Sequence, residues 1–190
     1  VRLDIARRSF LARRIGQFVG ERGLRGVAEV ARTLAGFENP KIAERYRALE
    51  GYAPGTLGRA YYDFVKRNEF GLPGEKGAAP EPIVFHDCTH VLADYGTDPE
   101  GETQILAFQA GFQSLDPFFT VLFAVAEFHL GIAISPVAAS SKMALKPALI
   151  TKAFARGMKC TRDLSDAWDP WEDFGANVDE LRKRYSIVPK

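Results

Sequence analysis

The run "PFFTVLFAVAEFHLGIAI", from Pro117 to Ile134, constrains the fold more than any other part of the chain. It is apolar almost all round at helical spacing, so a helix here must be buried in protein or laid in a bilayer. Glu127 and His129 interrupt the run, and its apolar length falls short of the roughly 20 residues a membrane span requires. It is therefore expected as a central helix buried in a globular core. A core of that kind is available. The 190 residues suffice for one well-buried domain, and 46% hydrophobic, 12% aromatic and 26% charged residues match an ordinary globular protein.

The rest of the chain repeats the helical signal. Apolar residues recur at spacings of three and four and strict alternation is nearly absent, which predicts an all-α fold in a single domain over 1–190. Helices are expected at 3–19 and 24–35, broken around Gly20 and Gly23, then near 40–50, 57–68 and 82–94. Gly20, Gly23 and Gly26 lack both the preceding strand and the spacing of a dinucleotide fingerprint. Pro82 suits the first turn of the helix at 82–94, and Gly96 is expected to stop it. Asp98 then reads as an N-cap with Pro99 at the first helical position, opening a helix that carries Glu102. Further helices are expected near 144–158 and 171–185, the last opened by Asp169 and Pro170. The segment 71–82, "GLPGEKGAAPEP", has four glycine and proline residues in its first seven and is the expected loop and hinge.

Charge narrows the function. A formal net charge of +1 argues against a dedicated nucleic-acid binder. Residues 1–35 nevertheless form a basic amphipathic start, with eight arginines against Asp4, Glu21 and Glu29. Such a segment either lies on an anionic membrane surface or is a solvated face. Cys88 and Cys160 cannot build a disulfide framework or a cysteine-rich zinc site, so a reducing compartment is the default. The start lacks the compact apolar segment of a signal peptide, and with only Ser9 among its first residues it makes a poor transit peptide. A chain that opens on Val1 rather than Met leaves room for a leader ahead of it.

The chemistry concentrates in "FHDCTHVLADYGTDPEGE", residues 85–102. On a helix at about 100° per residue, His86, Asp87 and His90 fall within an arc of roughly 100°. A tight reversal through Gly96 to Asp98 would send the next helix back antiparallel and bring Glu102 level with His90. Two imidazoles and two carboxylates at one point suit zinc, iron or manganese, and the donor set does not choose among them. The alternative is a polar helix face with no ion. Cys88 points away, about 200° from His86, and reads as a small core side chain. A zincin protease needs glutamate directly after the first histidine, where this chain has Asp87. A His-Asp phosphohydrolase needs a further upstream histidine, and the chain's third histidine is His129, readable as a fifth ligand, as a support behind a ligand or, the favoured reading, as a core histidine with its hydrogen bonds met.

With these residues in view the chain resembles the ubiquinone-biosynthesis Coq-four family. Its hallmark, His-Asp-x-x-His followed after eleven residues by Glu, is met by His86, Asp87, His90 and Glu102. "PGTLGRAYYDFV" at 54–65 and "WEDFGANVDELRKRYSIVP" at 171–189 resemble two further family blocks, and the likeness covers about 36–189. The segment "FGLPGEKGAAPEPIVF" departs from the family's aspartate- and tyrosine-rich lead-in, which fits a divergent bacterial branch.

The resemblance implies a helical homodimer attached peripherally to the inner face of the membrane from the cytoplasm, or from the matrix side of the mitochondrial inner membrane in a eukaryote. It implies that His86, Asp87, His90 and Glu102 hold a divalent metal beside a polyprenylated aromatic ring. The implied chemistry is oxidative removal of the ring carboxylate, with a second role in gathering the other ubiquinone-biosynthesis proteins. Phe118, Phe119, Leu122, Phe123 and Phe128 would wall a dry groove for the prenyl tail, or are ordinary core residues. Three classes follow: a metal-dependent enzyme on prenylated quinone precursors, a lipid-binding scaffold braced by a structural metal, and a metal hydrolase of another small substrate.

Overall fold

Helix starts follow the caps that the sequence supplies. The computed structural model describes Ala31 and residues 37–113, 117–135, 138–165 and 168–190. Among them run seven α-helices and no named strand: α1 (Pro40–Arg47), α2 (Leu57–Arg67), α3 (Val84–Ala93), α4 (Pro99–Phe112), α5 (Pro117–Phe128), α6 (Pro147–Gly157) and α7 (Val178–Arg184). The all-α expectation holds among the described residues. The Asn39 side chain accepts from the Ile42 amide, Thr56 from Arg59 and Asn177 from Asp179, so each supplies an acceptor to amides that have no partner within the helix. The expected helices at 3–19 and 24–35, with their basic start, lie outside the described residues apart from Ala31.

The blocks at 54–65 and 171–189 are packed together. The Leu57 amide donates to the Ala176 carbonyl at 2.9 Å and the Gly58 amide to Phe174 at 2.9 Å, so the C-terminal block partners the first turn of α2. A side chain on Gly58 would press to 3.1 Å against Phe174, so glycine lets the two segments approach. Tyr46, Tyr61, Trp171 and Phe174 pack ring on ring around this junction, with centroids 4.8 Å apart for Trp171 and Phe174 and 5.8 Å for Tyr61 and Phe174. Their mutual packing adds roughly 0.5–1.5 kcal/mol per pair beyond area burial. One hydrophobic core takes residues from every helix, from Tyr46 on α1 to Leu181 on α7.

Several sequence expectations need correction. The helix expected at 171–185 splits into a 3-10 turn at Pro170–Glu172 and α7, because Asp169 caps only that one turn and Asn177 starts the helix afresh. The helix expected at 82–94 begins with a 3-10 turn at Glu81–Ile83 and ends at Ala93. Its stop is Asp94, in the left-handed conformation at φ 60°, with its amide on the His90 carbonyl, and not Gly96. The 71–82 loop, expected as a hinge, is packed: Leu72, Pro73 and Gly74 are buried, and the Gly74 carbonyl accepts from Asn39 at 2.8 Å. A Cβ on Gly74 would reach 2.5 Å from the Asn39 carbonyl, so the loop is fitted against the start of α1.

The largest departure concerns the apolar run. Its helix ends at Phe128, six residues before Ile134, and is buried on one face only. Ala124 and Phe128 enter the core, whereas Phe118 is 68% exposed and Leu122 43% exposed. The reason is position: among the described residues α5 packs on α4, and its outer flank meets no other helix closely. No helix among the described residues is long and apolar enough to cross a membrane. α4 also crosses α6 closely, where side chains at Gly111 and Gly157 would overlap the Phe154 and Phe108 carbonyls. α4 is thus held by two helices.

Candidate metal centre

The two histidines stand four apart on α3, one helical turn, and so share a face. His90 is buried and stacks on Phe64 with centroids 5.6 Å apart, while His86 retains some exposure. Glu102 comes from the first turn of α4. Asp98 caps that turn through the amides of Glu100 and Gly101, both at 3.0 Å, and a side chain at Gly101 would overlap the Gly96 carbonyl. The Asp98 cap, Pro99 and the turn beginning at Gly96 thus fold as the sequence predicts and set Glu102 against the histidines.

The three side chains converge. The Nε2 atoms of His86 and His90 lie 3.2 Å apart. Glu102 turns Oε2 to His86 at 3.3 Å and Oε1 to His90 at 3.3 Å. One ligand atom from each residue fits within 4.8 Å of the others. Asp87 is not in this group. Its carboxylate is near enough for the imidazoles and Glu102 to act on its charge, but it is not a fourth convergent donor.

Both imidazoles are fixed from behind. His90 Nδ1–H donates to the Tyr95 carbonyl at 3.1 Å and His86 Nδ1–H to Gln109 Oε1 at 3.1 Å. Both partners are acceptors, so each ring carries its proton on Nδ1 and turns an Nε2 lone pair towards Glu102. Two lone pairs facing each other at 3.2 Å repel unless a cation or proton sits among them. Their separation is about the edge of a tetrahedron built on metal–nitrogen bonds of ~2.0–2.1 Å, and acceptors behind the rings are the usual outer support of ligating histidines. The donor set therefore fits a divalent metal such as zinc, iron or manganese.

Without a metal, a proton takes that role. Burial alone would lower the His86 pKa, but the hydrogen bond and charge of Glu102 reverse this and raise it to about 9. Burial would raise Glu102, yet the two imidazoles outweigh it and lower the carboxylate to about 2. Burial lifts Asp87 to about 6 against the lowering pull of the same imidazoles. The Cys88 thiol, fully buried, is pushed far above its ordinary range, in keeping with the core role expected of it.

Two supporting residues escaped sequence reasoning. Gln109 lies seven positions, two turns, beyond Glu102, a spacing that could have placed it on the same face. Arg182, on α7, donates Nε to the Leu92 carbonyl at 2.9 Å and a terminal nitrogen to Val91 at 3.2 Å, closing the open end of the histidine helix. Nothing local in the sequence around Arg182 signals that contact. His129, expected as a satisfied core histidine, has a buried Nδ1 with no partner among the described residues and lies outside the ligand group. Of the expected groove residues, Phe128 is core, Phe123 is half-buried against it at 6.5 Å ring to ring, and Phe118 and Leu122 face outward. The side chain of Phe119 lies outside the described residues. No protein-family model matches the chain, and no curated protein matches it.

Proposed function

We propose that this protein binds a divalent metal through His86, His90 and Glu102 and acts on a polyprenylated aromatic ring in ubiquinone biosynthesis, as its likeness to the Coq-four family implies. The observation that carries the reading is the pair of imidazole Nε2 atoms held 3.2 Å apart over one carboxylate, each ring with an acceptor beside its Nδ1. His86 on the first turn of α3 meets Gln109 late in α4, whereas His90 near the end of α3 meets Glu102 early in α4, an order that supports the antiparallel pairing of the two helices. Three protein donors leave positions open, the pattern of working zinc centres and of two-histidine, one-carboxylate iron centres, whereas bracing sites are usually closed by four. That favours an enzyme over a scaffold braced by metal.

A bound metal would supply Lewis-acid stabilisation of charge on the ring oxygens. His86 and His90 hold their nitrogens in place, and Glu102 balances charge. Phe118 and Leu122 offer apolar surface on α5, which packs on the helix bearing Glu102 and Gln109. In the reaction the ring carboxylate leaves as carbon dioxide and a hydroxyl takes its place. Dioxygen is the oxidant, a two-electron donor from outside the chain supplies the remaining electrons, and the second oxygen atom leaves as water. The same reading includes a homodimer, peripheral attachment to the inner face of the membrane and contact with the other pathway enzymes.

The test begins with protein purified without chelator, its metal content measured by mass spectrometry, followed by carbon dioxide release from a ring-carboxylated prenyl phenol. Bound metal near one ion per chain and release that stops in Glu102→Gln are the expected results. Metal retained in that variant, or release that ignores it, defeats the proposal. Release lost only because the chain unfolds on metal removal returns the site to a brace.

A further inference from the structure

We infer that Asp87 and Tyr61 form a recognition pair beside the metal centre that takes a free ring hydroxyl, so that the substrate is a phenol and not its methyl ether. It rests on the metal and the aromatic ring of the reading above, and adds which ring oxygen the chain itself selects.

The place of the pair follows from how α2 lies along α3. Phe64 on α2 stacks on His90, and just past both helices Asn68 Oδ1 accepts from the Thr97 hydroxyl at 2.9 Å. Contacts that advance together along both segments mean that α2 and α3 run in the same direction. Three residues before Phe64, on its face, stands Tyr61, and three before His90 stands Asp87. The Tyr61 ring is buried, stacked on Phe174 at 5.8 Å and met by the edge of Tyr46 at 6.0 Å. Core packing therefore places its hydroxyl.

Both groups are polar, and neither has a partner. Asp87 forms no hydrogen bond or salt bridge among the described residues, and the Tyr61 hydroxyl forms no hydrogen bond there. The enclosed side-chain atoms left without a partner are Gln109 Nε2, Glu127 Oε1 and His129 Nδ1. The oxygens of Asp87 and Tyr61 are not among them, so they open onto space that a ligand atom can enter. Burial first, and then the charge of Asp87, push the Tyr61 hydroxyl well above its ordinary range, so it stays a donor. Asp87 acts on that hydroxyl without bonding it, which leaves a gap between the two. The gap borders the metal centre, because Asp87 follows His86 directly and the side chains of His86 and Glu102 keep 22% and 17% exposure.

Chemistry selects the occupant. A carboxylate only accepts, and the tyrosine hydroxyl beside it is free to donate. A phenol hydroxyl answers both, donating to Asp87 and accepting from Tyr61. An ammonium group would satisfy Asp87 but offers Tyr61 no acceptor. A methyl ether accepts from Tyr61 and leaves the carboxylate desolvated without a donor, the arrangement by which sites built around a hydroxyl reject its analogues.

The experiment is titration calorimetry of the whole chain with a ring-carboxylated phenol bearing one five-carbon prenyl tail and with its O-methyl ether. Both are measured with zinc and again after chelator, and metal content is read by mass spectrometry. The native chain should bind the phenol roughly tenfold or more tightly than the ether. Asp87→Asn should shrink that preference to about threefold or less at native zinc content, because an amide accepts from the phenol and donates to the ether. Tyr61→Phe keeps the ring packing and should weaken both ligands alike, by several-fold, since both oxygens accept from it. Thermal melts check that the variants fold. Equal binding of phenol and ether by the native chain overturns the inference, as does a full preference retained in Asp87→Asn. So does zinc lost from Asp87→Asn, which would make Asp87 a ligand. A native chain that holds no zinc yet keeps the preference defeats the metal reading and supports the pair, whereas zinc held without preference does the reverse.

Discussion

Around α3 and α4 the protein takes polar groups inside and partners most of them, the buried Gln109 Nε2 excepted, while along α5 and the loop after it apolar groups are left outside over a pinned backbone. His90 is buried with both ring nitrogens engaged, whereas Ile132 and Ile134 are half exposed on a backbone whose amides are tied to the Ala126 carbonyl and the Glu127 carboxylate respectively. Each region reverses the ordinary sorting of side chains, and each spends hydrogen bonds to hold the reversal in place. Stability alone explains neither arrangement. The polar interior gathers the candidate metal ligands, and the apolar exterior stays exposed among the described residues.

The sharpest way to break this contrast is Glu102→Gln. It keeps the shape but removes the charge facing both imidazoles, and metal affinity measured by titration calorimetry should fall more than ~100-fold, beyond what outer partners cost. An unchanged affinity would mean that the polar interior is only packing. Gln109→Leu removes the acceptor behind His86 and should weaken metal binding by roughly 10–100-fold, while Gln109→Glu, which retains an acceptor, restores most of it. Equal losses from both variants would make Gln109 a space filler.

Smaller effects come from pH. His86 is raised from 6.5 to about 9, so its contribution to the metal-free fold is complete below about 6.5 and is lost as pH climbs through about 9. Glu102 is lowered from 4.5 to about 2, so its contribution is present above about 4.5 and is lost only as pH falls through about 2. Metal needs His86 without its Nε2 proton, so the rise in Tm caused by zinc should grow between pH 6.5 and pH 9. Melts with and without zinc that stay parallel across that window contradict this assignment. Smallest of all, Ile134→Ser should move Tm in water by less than the equivalent of ~0.5 kcal/mol, as expected for a surface position. A large loss would show that the loop is core after all.

Much of the metal centre was legible because its geometry is local. Asp98 and Pro99 encode the cap that opens α4, the fold follows it, and Glu102 in the turn it starts reaches both histidines. Asp87 was overcounted for a physical reason. A helical wheel admits it within an arc of roughly 100°, but an arc does not fix where a side chain ends, and the convergent group is His86, His90 and Glu102. The second-rank partners come from afar: Arg182 reaches α3 across 90 positions, and no periodicity reports a contact of that length. For α5, hydropathy identified the helix but could not state what covers its outer flank. A run apolar on all sides reads the same whether it is enclosed by protein or set against a lipid phase.

Arg182 and the Lys190 amide complete the carbonyl end of α3 at Leu92, Val91 and Ala93. A growing chain therefore has both histidines in hand long before the groups that finish their helix have been synthesised. Until then the end of that helix is left to fray in water. Were the proposed metal to bind there, its firm capture would wait on arrival of the C-terminal block.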